Sequence, residues 1–414
     1  MKKERLFTPY QVFIVAVLAF LQFTIILDFM VLSPLGAQLL GALNVSTRQF
    51  GLVVSAYAFS AGASGLLAAG FADRFDRKRL LLFFYTGFIA GTFLCGIATS
   101  YEFLLVARIV TGLFGGVIGS VIFAVITDLF KIQVRGRVMG FVQMAFAVSQ
   151  VLGIPLGLYL ANIWGWHAPF LLIVGLSIPA FVVIAWKMQP VDAHISDHSE
   201  RSAFRHLLKT VSKKQYLKGF SATTLLATGG YMLMPFGSAF AVHNLGLTLE
   251  QLPPVYMITG ICSMIAGPLI GRLSDQWGKY PMFVSGSILS MALVVVYTNL
   301  GITPLWVVTV LNAFLFIGIM SRMISSSALM SALPDTDDRG AFMGVNSSVA
   351  QISGGIAAAI AGMIVVQSPD GNLQHYPVLG YVVVASMAVV IWILYYINIE
   401  VHKKHRVEQP DSVL

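Results

Sequence analysis

Twelve apolar stretches of about 20 residues or more run through this chain of 414 residues, at roughly 11–36, 47–69, 80–99, 103–128, 138–162, 166–188, 215–243, 249–270, 280–299, 303–330, 340–367 and 377–400. A helix rises about 1.5 Å per residue, so each stretch is long enough to cross a hydrocarbon layer of about 30 Å. Charged residues make up only 11% of the chain and hydrophobic ones 57%, whereas soluble domains carry about 25% charged residues. The expected fold class is all-α integral membrane, with twelve transmembrane helices.

The polar breaks between these stretches repeat. Asp73-Arg74-Phe75-Asp76-Arg77-Lys78 is echoed 202 residues later by Asp275-Gln276-Trp277-Gly278-Lys279. Arg135-Gly136-Arg137-Val138-Met139-Gly140 returns as Arg339-Gly340-Ala341-Phe342-Met343-Gly344 at an offset of 204. Two landmarks with one period divide the chain into pseudo-symmetric six-helix halves, 1–188 and 215–400, joined by a linker over 189–214 and followed by a tail over 401–414. Duplicated helical halves are the architecture of many secondary transporters, with the substrate site where the halves meet.

Positively charged loops stay on the cytoplasmic side of a membrane. With both termini placed inside, 23 of the 26 Lys and Arg residues fall on that face; Arg48 lies outside, and Arg108 and Arg322 lie within helices. The net charge of +8 then reflects topology and anionic lipid at the inner surface, and gives no support to nucleic-acid binding. The linker opens with Asp192, His194, Asp197, His198 and Glu200 and continues with Arg201, Arg205, Lys209, Lys213 and Lys214. That order suits a tether ending in a basic interfacial helix on lipid. Cys95 and Cys262 fall inside helices of different halves and read as packing residues, with no disulfide or metal spacing. The first stretch follows Met1-Lys2-Lys3-Glu4-Arg5 but is too long for a signal h-region and lacks a small-residue cleavage site. It should stay as the first transmembrane helix.

Of eighteen acidic residues, only Asp28 lies deep inside a stretch. A carboxylate at mid-membrane costs about 2.5–3.5 kcal/mol on insertion scales, so such residues usually face a cavity or take part in a proton relay. Arg108 on the fourth helix lies at a similar depth and can pair with it, and pairing is compatible with proton exchange. The seventh helix holds Tyr231-Met232-Leu233-Met234-Pro235-Phe236 in the corresponding region and no second acid, so one proton site is expected. Arg322, flanked by Ser321, Ser325, Ser326 and Ser327, either attracts an anionic or polar substrate or snorkels to close a cytoplasmic gate. Candidate cavity residues are Gln22, Tyr57, Gln143, Gln150, Tyr231, Met234, Asn312, Arg322, Asn346 and Gln351, a mixed set suited to a neutral or amphiphilic small molecule. Gly153-Ile154-Pro155-Leu156-Gly157 on the fifth helix and Gly112, Gly115, Gly116 and Gly119 on the fourth allow close helix approach and bending.

These landmarks resemble the major facilitator superfamily over about residues 8–400. That family carries Gly-x-x-x-Asp-Arg-x-Gly-Arg-Lys between its second and third helices. Asp73, Arg74, Arg77 and Lys78 match; Ala69 and Asp76 stand at the glycine positions, and Asp tolerates the left-handed turn better than most residues. The second copy, Gly271, Asp275, Gly278 and Lys279, fits without that departure. By the resemblance these residues, with Asp128, form a latch of the outward-facing state, and Asp28 and Arg108 coincide with positions tied to proton coupling. Gly153, Pro155 and Gly157, followed by Gly165-Trp166-His167-Ala168-Pro169-Phe170, look like the antiporter motif of the twelve-helix drug:proton antiporters, in the form seen in bacterial sugar, nucleoside and chloramphenicol exporters. His167 stands where Arg is common.

The resemblance implies a multi-pass monomer in the bacterial inner membrane that exports a drug-like, sugar or nucleoside-like molecule in exchange for protons, with lipid around it and no cofactor or metal. A proton-coupled importer or facilitator shares the fold. ATP drive is disfavoured, because no Gly-x-x-x-x-Gly-Lys-[Ser/Thr] loop occurs. An enzyme would want clustered His, Asp or Glu near one face; His167, His243 and His375 are scattered over three outer loops and are expected to be solvated. A receptor or scaffold would keep the fold without coupling.

Overall fold

In hydrocarbon a peptide group has no water to bond, so a spanning segment closes its hydrogen bonds along its own helix. The computed structural model describes residues 7–68, 72–192, 212–335 and 338–408, without the side chains of Asp73, Ile132, Lys214 and residues 404–408. Among the described residues twelve helices are long and apolar enough to span a membrane. They are α1 (Pro9–Val31), α2 (Thr47–Ala68), α3 (Arg77–Gly96), α4 (Tyr101–Leu129), α5 (Gln133–Trp164), α6 (Ala168–Lys187), α7 (Gln215–His243), α8 (Leu249–Trp277), α9 (Lys279–Thr298), α10 (Leu305–Ala332), α11 (Arg339–Ile364) and α12 (Tyr376–Lys403). They coincide with the twelve expected stretches to within a turn or two of helix.

Local chemistry sets their ends and breaks. Thr8 and Gln11 form a reciprocal capping box at the start of α1, and Ser100 Oγ accepts from Phe103 N at the start of α4, each satisfying a first-turn donor. The apolar run to residue 36 is not one helix, as its composition suggested. α1 stops at Val31, and after a turn a short helix, Gly36–Ala42, follows. Pro34 lacks the N–H that would continue the ladder, and its ring would crowd the carbonyl four residues back. Pro155 is preceded by a π-turn over Ser149–Gly153 in α5, and Pro235 sits in a 3-10 turn, Met234–Phe236, in α7. These are the local adjustments by which a membrane helix accommodates proline.

The packing has an internal repeat. Within α1–α6 the close pairs include α1 with α5, α1 with α6, α2 with α4, α3 with α4 and α3 with α6; each recurs six helices later, as α7 with α11, α7 with α12, α8 with α10, α9 with α10 and α9 with α12. The two sets meet along α2 against α11 and α5 against α8. A Cβ added at Gly51 would lie 2.8 Å from the Ala358 carbonyl, and one at Gly362 would lie 2.8 Å from the Thr47 carbonyl. Small residues thus bring α2 and α11 backbone to backbone, where dispersion and hydrogen bonds replace the absent hydrophobic drive. Ser55 Oγ donates to the Gly355 carbonyl at 2.8 Å, and Thr47 Oγ1 to the Val365 carbonyl at 2.5 Å.

One end of the bundle, the basic end, carries Arg77, Lys78, Arg135, Lys213 and Lys279, each at or near the start of its helix. At the opposite end the two sets are tied together. Ser238 Oγ donates to the Ser33 carbonyl at 3.1 Å, Asn162 Nδ2 to the Leu249 carbonyl at 2.9 Å, and Phe50 meets Phe236 edge to face. A two-stranded hairpin, β1 (Val366–Gln367) and β2 (Leu373–Gln374), covers this end; Asn244 bonds both the N–H and the carbonyl of Leu373.

Overpacking a tight contact costs about 1–3 kcal/mol. Gly51→Leu should therefore lower the apparent melting temperature of the detergent-solubilised protein. Gly41→Ala, where an added Cβ meets nothing within 4 Å, should leave it unchanged.

Candidate functional site

Asp28 lies near the end of α1, and its Oδ2 is 2.8 Å from Arg108 Nη1 on α4, with the two side chains 0% and 1% exposed. Thr92 Oγ1 on α3 donates to the other carboxylate oxygen at 3.2 Å, and the Tyr57 ring on α2 lies 4.5 Å from the guanidinium carbon. Four helices therefore converge on one pair of charges. Arg108 Nε has no hydrogen-bond partner, so the guanidinium is held by part of its donor set only.

Glycines place these side chains. A Cβ at Gly153 or Gly157 of α5 would meet Leu27 at 2.6 Å or Val31 at 3.0 Å, residues that flank Asp28 on α1. On α4, Gly112, Gly115 and Gly116 would meet Ser60, Tyr57 and Ala61 of α2, at 2.1, 2.8 and 2.4 Å. Gly119 is different: it faces open space and takes no part in the contact.

Beside the pair lies a cavity of about 540 Å³ whose wall includes Gln150, Tyr231, Met234, Asn312, Arg322 and Asn346. It is mostly bounded by α7–α12, with α1 and α5 closing one side. Wall residues toward the opposite end, such as Ser33, Leu247 and Leu252, are buried. Toward the basic end Met323 and Met343 are 46% and 39% exposed, so the cavity opens there. Four candidate cavity residues are outside the wall. Gln143 is exposed, Gln22 is half-buried with a partnerless Oε1, Tyr57 covers Arg108, and Gln351 accepts from Tyr231 at 3.3 Å. Tyr256, Tyr297 and Tyr376 line the cavity without any sequence signal that set them apart from other intramembrane aromatics.

Neither Asp28 nor Arg108 belongs to the wall, but Phe29 does. Its ring lies 5.4 Å from that of Tyr57 and 5.8 Å from that of Tyr231, so an aromatic partition separates the charges from the open space. Arg322 is 5% exposed. Its Nε and Nη2 have no hydrogen-bond partner, and its guanidinium carbon lies 5.8 Å from the Phe283 ring centre. It is therefore packed into the wall, not stretched to the basic end.

At the basic end Arg77 Nε bonds Asp128 Oδ2 at 3.0 Å and Nη1 bonds the Ala72 carbonyl at 3.0 Å. Asp76 departs from the expected left-handed turn. Its φ is −54°, and its side chain caps α3 by accepting from Lys78 N while also accepting from Val191 N at 2.8 Å. An N-cap needs a side-chain oxygen, which glycine lacks. Lys78 Nζ reaches the Ala185 carbonyl, and Arg74 is exposed. In the second copy Gly278 does take a positive φ, 98°, Lys279 pairs with Asp275, and a Cβ at Gly271 would meet nothing within 4 Å. Ala69, the Asp73 side chain and linker residues 193–211 with the expected interfacial helix lie outside the described residues. Nor is His167 a solvated loop residue: its ring stacks on Trp166 and its Nε2 lies 2.8 Å from the Ala98 carbonyl. His243 is half-buried too, whereas His375 is exposed.

The sequence profile of the Major Facilitator Superfamily matches residues 18–358 and 219–412. The chain belongs to the Major Facilitator Superfamily. An uncharacterized transporter of this superfamily from Bacillus subtilis, YceJ, is 30% identical over 274 residues, 66% of this chain and 69% of the relative. Multidrug resistance protein 2 of the same organism is 22% identical over 372 residues, 87% and 90% of the two chains. A bacterial homologue of the human lysosomal transporter Spinster, in an inward-facing and unoccupied conformation, superposes with a TM-score of 0.71 at 15% identity, covering 95% of this chain and 97% of that one. This superfamily member is a multi-pass secondary transporter of small molecules, not an enzyme.

Removing one partner of a buried ion pair leaves an uncompensated charge and costs about 3–5 kcal/mol, whereas replacing both is often near neutral. Asp28→Ala should accordingly lower the thermal stability of the detergent-solubilised protein strongly. Asp28→Leu combined with Arg108→Met, which replaces both charges by apolar side chains of similar volume, should restore most of the loss.

Proposed function

We propose that the protein exports a small organic molecule in exchange for protons by alternating access, with its basic end in the cytoplasm and both termini on that side. The observation that carries this reading is the Asp28–Arg108 pair, fully buried and one residue from Phe29 in the cavity wall. A proton on Asp28 removes the carboxylate charge that holds Arg108. Cargo entering the cavity displaces Phe29, and with it the end of α1 that carries Asp28. Proton loading and cargo binding thus act on the same short segment, which is what exchange requires.

The positive-inside distribution of basic residues supports the orientation, and in that orientation the cavity faces the cytoplasm, where cargo for export is collected. The glycine and proline pattern of α5 supports exchange, since Gly153 and Gly157 let α1 slide or tilt against it. The name of the Bacillus relative, a multidrug resistance protein, agrees with efflux of drug-like compounds; sugars and nucleosides are further candidate cargoes. One charge crossing 100 mV releases about 2.3 kcal/mol, and each pH unit adds about 1.4 kcal/mol. One proton per cycle can therefore sustain a several-hundredfold gradient of a neutral cargo.

In liposomes loaded with a pH-sensitive dye, a transported compound should trigger proton movement through the wild-type protein and none through Asp28→Asn. Counterflow in inside-out vesicles should run in the export direction. Substrate flux without proton movement in the wild type would show a uniporter and end the exchange reading. Arg108→Ala should behave as Asp28→Asn does in proton movement while still binding cargo.

A further inference from the structure

Arg322 is the one charged residue in the wall of the cavity among the described residues, and it has no ion pair. Among the described residues the only buried carboxylate within a span, Asp28, is already matched by Arg108 and is screened from the cavity by Phe29 and Tyr57. The cavity therefore carries an uncompensated positive charge on a side chain that has already lost its water. A buried cation without a counter-ion is costly, and two of its nitrogens, Nε and Nη2, lack any acceptor.

Its surroundings keep that charge available. Gly229 on α7 packs beside Nη2, where an added Cβ would come within 3.9 Å of it, so the glycine brings a wall with no side chain up to the guanidinium. Asn346 uses its amide oxygen to accept from Thr223 Oγ1 at 2.6 Å, which leaves the amide N–H groups as further donors into the cavity. Most of the remaining wall is apolar, with Met234, Tyr256 and Phe316 among its residues. We propose that the cargo is a small organic anion, with one carboxylate received by Arg322 and an apolar body lodged among the Met and aromatic side chains. This deepens the transport reading, because it names the cargo class of the same cavity, and it rests on the cavity being the cargo site.

A single carboxylate suits the charge count better than a phosphate dianion, which would leave one negative charge unmatched. The planar guanidinium fork fits two carboxylate oxygens at once. The proposal also changes the electrical balance of exchange. A proton moving inward against a monoanion moving outward transfers two positive charge equivalents inward per cycle, whereas a neutral cargo transfers one.

The test is equilibrium binding to the purified full-length protein, followed by isothermal calorimetry. The probes are two acids paired with their uncharged amides: 1-naphthaleneacetate with 1-naphthaleneacetamide, and 4-phenylbutyrate with 4-phenylbutyramide. At least one acid is expected to bind about tenfold or more tightly than its amide, since a charge-assisted pair is among the stronger hydrogen-bonded contacts. Arg322→Gln should erase that preference, and Arg322→Lys should keep part of it. Equal or weaker binding of both acids than of their amides, or a preference that survives in Arg322→Gln, would overturn the proposal. The wild-type comparison stands even if a variant fails to fold. Binding by Asp28→Asn separates the two readings: an acid preference retained there, with no proton movement in wild-type liposomes, would sink proton exchange and leave the anion site standing.

Discussion

A carboxylate and a guanidinium 2.8 Å apart, shut away from both water and the cavity, are the constraint around which the first six helices are arranged. Each charge alone at this depth costs several kcal/mol, and each lowers that cost by keeping the other close by. That forces α1 against α4, and the helices obtain the approach indirectly: α1 rests on Gly153 and Gly157 of α5, and α4 presents Gly112, Gly115 and Gly116 to α2. Thr92 and Tyr57 then fill two of the remaining directions. Such a pair adds little net stability compared with apolar packing. Its value in the proposed cycle is that one proton can change its strength abruptly.

The duplication makes the asymmetry of the two halves informative. The offset of about 203 that relates the loop motifs carries Asp28 to Tyr231 and Arg108 close to Asn312, both uncharged and both in the cavity wall. One copy of the scaffold thus keeps a closed charge pair, and the other keeps a roomy interior with polar groups and the unpaired Arg322. In the proposed cycle the proton site and the cargo site are then in different halves, and they need a mechanical link. Phe29, touching Tyr57 on one side and Tyr231 on the other, is the connection at hand.

Spans, kinks and the charge pair were legible in the chain because each rests on a local or one-dimensional property. Hydropathy marks spans, Pro155 marks a break, and depth along a helix of known rise puts Asp28 level with Arg108; the breaks at Pro34 and Pro235 lay inside stretches read as continuous. Rotation of a helix about its axis was not legible. In a soluble helix the polar face points outward, but here lipid and neighbouring helices are equally apolar, so a glutamine does not announce which it faces. Gln150 and Asn346 reach the cavity while Gln22 lies elsewhere; Gln143, seven residues before Gln150 and so on the same face of α5, differs from it in depth along the helix, not in rotation. Thr92 and Phe29 carry no sequence signal for the same reason. Asp76 was misread because the motif position suggested backbone conformation, whereas its side chain supplies a cap that glycine cannot.

The charge cluster at the basic end raises a last question of mechanics. Arg77 and Asp128 are bonded at 3.0 Å while the cavity is open toward their own end of the bundle. Both belong to the first set of six helices, α3 and α4, whose packing is tight. If the two sets rock as units, this contact is carried along unchanged, so it cannot by itself distinguish one state from the other. The contact joins α3 to α4, and Arg77 N to the Val191 carbonyl and Val191 N to Asp76 tie the chain leaving α6 to the same corner. In the proposed cycle a latch of the alternative state would bridge the sets at the basic end, where α2 meets α11. The glycines that seat α2 on α11 would then serve as the pivot, because backbone contacts without intervening side chains can tilt with little repacking.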